Sequence, residues 1–60
     1  MAPKDIRALR EALGLTQQQF AKRIGAQRVT VARWETGLTR PKGLYLQALE
    51  KVRANVKKRE

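Results

Sequence analysis

The stretch from 16 to 37, TQQQFAKRIGAQRVTVARWETG, constrains the fold more than any other part of the chain. Thr16 is followed three residues later by Gln19. That is the spacing of a capping box, in which each side chain takes up a backbone amide the other leaves free at a helix start. Leu15 just before the cap and Phe20 at the fourth helical position have the spacing of a hydrophobic staple. A helix is therefore expected at about 17–24, with Phe20, Ala21 and Ile24 inward. Gly25 suits a left-handed close to that helix. Residues 25–27 alone separate it from a second helical pattern at about 28–36, which Gly37 ends. Two short helices joined by so tight a glycine turn form a helix-turn-helix corner.

At 100° per residue, the second of these helices has two unlike sides. Thr30, Val31 and Trp34 share one, with Gln27 and Glu35 at its margins; Arg28, Val29, Ala32, Arg33 and Thr36 make the other. The first is a core face. The second is short-chained at its centre and carries arginine at its edges.

The flanks are also helical. Ile6, Leu9 and Leu13 recur on one helix face, so a first helix is expected at about 4–13, with Pro3 acceptable at its start and Gly14 ending it. Arg10 stands between Leu9 and Leu13, at the edge of that apolar stripe. After a loop bearing Arg40 and Lys42, Pro41 is expected to open a fourth helix at about 42–57. Its inward stripe is Leu44, Tyr45, Ala48, Leu49, Val52 and Val56, and Gly43 weakens its first turn. Leu46 lies off the stripe, and the final KKRE is expected to be a frayed, solvated tail. The expected fold class is all-α, a small four-helix bundle with a fifth helix as the alternative, formed by residues 1–60 as one domain.

Composition narrows the partner. Fourteen Lys and Arg against five Asp and Glu give a net charge of +9, so a polyanion is the natural ligand. The longest apolar run is too short to span a bilayer and no signal-peptide pattern precedes the first helix, so a membrane is not expected and the cytoplasm is. With no His and no Cys, most metal sites and most nucleophile–base pairs are excluded; neither an enzyme nor a cofactor is expected. A chain of 60 residues buries only about 60% of its unfolded surface, and without disulfides helix packing has to supply the stability.

The outer face of the third helix fits a major groove, which is about 12 Å wide and admits one α-helix. Arg28 and Arg33 have the fork that bonds guanine O6 and N7, Gln27 can pair with adenine, and Val29 can lie against a thymine methyl. Leu15-Thr16-Gln17, Ala21, Gly25 and Trp34-Glu35-Thr36-Gly37 together resemble the Cro/CI-type, or XRE-type, helix-turn-helix repressors over roughly residues 4–52. The resemblance implies a lambda-repressor-like DNA-binding bundle, bacterial or phage-encoded, acting on double-stranded DNA as a transcriptional repressor and commonly as a dimer.

By position, the resemblance makes Gln27, Arg28, Val29 and Arg33 base-reading or groove-facing. It gives phosphate contacts to Gln17 at the start of the second helix and to Thr39, Arg40 and Lys42 after the third. It also implies a partly buried ion pair between Arg10 and Glu35. Gln27 stands where the family has Ser or Thr, a better cap, and Ala26 where valine is common. Helix 4 offers the best dimer surface if Leu46, Leu49 and Val56 extend its apolar arc beyond what the domain buries; a wide core-facing stripe is the equal alternative. Two other functions fit the same sequence: the antitoxin of a toxin–antitoxin pair that also binds its operator, and a nonspecific nucleic-acid binder driven by charge. The first needs a toxin protein as partner; the second predicts strong salt dependence with little base preference.

Overall fold

The computed structural model describes residues 1–58. They form four helices and, among the described residues, no strand: α1 Pro3–Ala12, α2 Gln17–Ile24, α3 Arg28–Thr36 and α4 Leu44–Lys58. The fifth helix held as an alternative does not appear among them.

Local chemistry sets the first three helices. Pro3 leads α1, and the Asp5 carboxylate accepts the Ala2 amide at 3.1 Å. The helix ends one residue earlier than expected, at Ala12, with Gly14 beyond its Leu13 cap. At α2 the capping box forms in both directions: Thr16 Oγ1 accepts the Gln19 amide at 3.1 Å, and Gln19 Oε1 accepts the Thr16 amide at 2.9 Å. Gly25 closes α2 at φ 77°, a conformation that costs a side-chain-bearing residue about 1–2 kcal/mol. The turn is then locked by the Ala26 amide donating to the Ala21 carbonyl at 2.8 Å. Gln27 caps α3 with its backbone only, making no side-chain cap bond.

The core takes residues from every helix: Ile6 and Leu9 of α1, Phe20, Ala21 and Ile24 of α2, Val31 and Trp34 of α3, and Leu49 of α4. Leu15, beside the α2 cap, packs against this cluster with Leu13, Ala26, Ala48, Val52 and Val56. α2 and α3 make the largest interhelical contact, and α1 packs across α3. The corner is thus held from behind by α1 and α4.

The start of α4 differs from expectation. Pro41 is buried in the loop and does not lead the helix; Gly43, at φ 57°, turns the chain in the left-handed region, and α4 begins at Leu44. With the helix starting there, its first turn lies at the margin of the bundle. Leu44 is 81% exposed and Tyr45 41%, so neither is a core residue as the stripe had suggested. Tyr45 instead meets the edge of the bundle, its ring 5.4 Å from that of Trp34 in an edge-to-face arrangement. Leu49 is fully buried and Val56 packs against the core, so for these two the core-facing alternative holds and not the dimer surface. At the tail, the backbone of 57 and 58 is helical, while Arg59 and Glu60 lie outside the described residues.

Candidate nucleic-acid interface

α3 separates into the two sides its sequence implies. Val31 and Trp34 are buried, whereas Gln27, Arg28, Val29, Arg33 and Thr36 are exposed and Ala32 is half-buried between them. Val29, at 44% exposure, is an apolar side chain held in solvent by a helix whose other face is anchored in the core. Arg28, Val29, Ala32, Arg33 and Thr36 follow one another around the same helical face, so the two guanidinium groups border a low apolar centre.

Behind this face, Arg10 and Glu35 join α1 to α3. Arg10 Nε donates to Glu35 Oε2 at 2.7 Å and Nη2 to Oε1 at 3.1 Å, the two-pronged geometry that gives Arg–carboxylate pairs their directionality. Nη1 donates to the Leu15 carbonyl at 3.0 Å, and the Leu15 amide donates back to the Arg10 carbonyl at 3.2 Å. The Arg10 side chain is 15% exposed and that of Glu35 6%. The hydrogen bond that Arg10 donates to Glu35 raises the Arg10 pKa above its ordinary value, burial opposes it, and the charges of Glu35 and Glu11 add to the rise. No buried side-chain N or O among the described residues lacks a partner.

Gln17 has a contact that the sequence did not suggest. Its amide Nε2 donates to Glu35 Oε1 at 3.3 Å, so the first residue of α2 is tied into the same network. A carboxylate offers about four acceptor sites and Arg10 fills two, but nothing in residue spacing singles out Gln17 for a third. Its second amide hydrogen has no acceptor among the described residues. On the other side of α3, Thr39, Arg40 and Lys42 are exposed in the loop that follows Gly37. The Arg33 carbonyl anchors the start of this loop by accepting from the Leu38 amide at 3.0 Å and from Thr36 Oγ1 at 3.1 Å.

Among the described residues no cluster of His, Cys, Asp or Glu suits a metal ion, and no helix is long and apolar enough to cross a membrane. What remains is a helix-turn-helix bundle that presents one basic helix face and keeps the opposite face in its core. The helix-turn-helix family model matches residues 6–52, and the chain belongs to that family, of the Cro/CI or XRE type. It is therefore a DNA-binding regulatory domain whose partner is double-stranded DNA, in a family not known for catalysis. Among curated proteins and solved structures, none matches the chain.

Proposed function

We propose that α3 enters the major groove and reads sequence there, and that the protein is a transcriptional repressor working in the cytoplasm of a bacterium, whether chromosomally or phage-encoded. One observation carries this reading: the exposed Arg28–Val29–Ala32–Arg33 face stands opposite a buried Val31–Trp34 face, and Arg10–Glu35 fixes the helix between them. Arg28 and Arg33 read guanine, Gln27 adenine, and Val29 a thymine methyl, each through the base edges that a major groove displays.

Thr39, Arg40 and Lys42 hold phosphates on one side of α3, and Gln17 does so on the other. Glu35 supports the Gln17 role, because it occupies one amide hydrogen and holds the side chain in place while the second hydrogen remains for a phosphate oxygen. The free amides and positive end of α2 add to that site. Two half-sites one helical turn apart are centred roughly 34–36 Å from each other. The protein measures 31 Å along its longest axis and has one α3, so two copies are needed to fill them.

The test is selection of bound sequences from a random duplex pool at about 150 mM salt, where exposed charges act only over about 8 Å. Enrichment of a short motif, repeated with two-fold symmetry, is expected. Recovery of the pool unchanged would leave only charge-driven binding and remove base reading from α3.

A further inference from the structure

We propose that Leu38 is a positioning residue for Arg33: its side chain lies along the arginine's methylene stem at the end of α3 and holds the guanidinium toward the base edge that Arg33 reads. This rests on base reading by Arg33, proposed above, and extends it to a residue outside the helix.

The turn that ends α3 brings the two residues together. With Gly37 at φ 83°, its amide donates to the Trp34 carbonyl at 3.2 Å and the Leu38 amide donates to the Arg33 carbonyl at 3.0 Å. These are the paired bonds of a Schellman closure, in which the residue after the glycine returns to the residue five positions earlier, and an apolar contact between those two side chains frequently accompanies the bonds. Here the two are Leu38 and Arg33. Arginine can enter such a contact through its methylene stem and keep its charged end free. Pro3 Cγ stands 3.5 Å from where a Gly37 Cβ would be, so the start of α1 backs the turn. Leu38, 76% exposed, is on its solvent side.

Arg33 lacks any other support. Arg10 is fixed by two bonds to Glu35 and one to the Leu15 carbonyl, whereas the Arg33 side chain has no hydrogen bond or ion pair among the described residues. An unsupported arginine stem samples many rotamers, and a bidentate base contact has to freeze them. Leu38 removes part of that freedom before DNA arrives. The gain falls on the right base alone, because only there is the guanidinium held by two bonds. At a wrong base Arg33 stays unfrozen and Leu38 changes nothing. Leu38 therefore adds to preference at one position of the site and not to the general attraction for DNA.

Fluorescence anisotropy on the selected duplex and its single-base variants tests this with wild type, Leu38→Ala, Leu38→Met, Arg33→Ala and the Leu38→Ala/Arg33→Ala double variant. Arg33→Ala marks the position that Arg33 reads. Leu38→Ala should lower preference there by roughly 2- to 10-fold, the span set by freezing one long side chain, and leave every other position as in the wild type. Leu38→Met should retain the preference, because an unbranched apolar chain of similar reach still covers the stem. In the double variant, loss of Leu38 should add nothing to loss of Arg33. The proposal is overturned if Leu38→Ala leaves the marked position intact, weakens all duplexes alike as a damaged fold would, or erodes that position equally with and without Arg33. If Arg33→Ala erodes no position, base reading by Arg33 fails and its positioning by Leu38 with it. If Arg33→Ala erodes one position and Leu38→Ala none, base reading stands and only the role of Leu38 falls.

Discussion

At the scale of single residues, Arg10 and Glu35 decide how firmly the reading helix is held. At about 0.05–0.15 kcal/mol per residue, a 60-residue chain is stable by roughly 3–9 kcal/mol. Breaking a buried pair by removing one partner costs about 3–5 kcal/mol. Because Arg10 keeps 15% of its side chain exposed, Glu35→Ala belongs near the low end, about 3 kcal/mol, and urea unfolding should show it. Arg10→Met with Glu35→Leu should recover most of that loss, since apolar groups of similar size carry no desolvation penalty. If the double variant unfolds as early as Glu35→Ala, the cost was lost packing and not a stranded charge. The raised Arg10 pKa adds stability that is complete below the unfolded-state value and disappears only as pH climbs through the folded one, both far above neutrality. Arg10 therefore contributes no pH dependence near neutrality. The pair itself is implied by the family resemblance, with which Arg10 on an apolar edge and Glu35 at the margin of a core face agree; the Gln17 bond to Glu35 is not legible, because it depends on how α2 and α3 are set together in space.

At the scale of elements, the corner is where local signals and tertiary packing agree. Gly25 has no atom within 4 Å of where a Cβ would stand, so Gly25→Ala should cost only the conformational penalty of φ 77°, about 1–2 kcal/mol by thermal or urea unfolding. A much larger loss would mean that the turn itself had rearranged. Gln27 makes no side-chain cap bond, and Gln27→Ser should add about 0.5–1 kcal/mol by supplying one to the first turn of α3. The same substitution should change preference at the base assigned to Gln27, visible in selected duplexes. α2 and α3 were readable to the residue because the Thr16 box and the two glycines act within a few positions of themselves. The start of α4 was not, because Pro41 is drawn into the protein and Gly43 takes up the turn, outcomes that depend on distant surfaces. Counting the apolar stripe from Leu44 then put the first turn in the core, although Leu44 stays 81% exposed and Tyr45 reaches only the edge of Trp34.

At the scale of the whole molecule, charge and shape have separate jobs. A net charge of +9 draws the protein to any duplex, and each phosphate contact adds about 0.9 to the slope of log affinity against log salt. Arg40→Ala should therefore lower that slope by about 1 and weaken all sequences alike, because Arg40 lies in the loop beyond α3 and is assigned a phosphate. Base preference has to come from the exposed face of α3. The most direct measurement is selection from a random duplex pool with the wild type, Arg33→Ala and Arg40→Ala side by side. Arg33→Ala should lose preference at one position of the motif, by roughly 1–3 kcal/mol, while Arg40→Ala keeps the whole motif at lower affinity. A motif eroded equally by both substitutions, or left intact by both, would contradict base reading by α3.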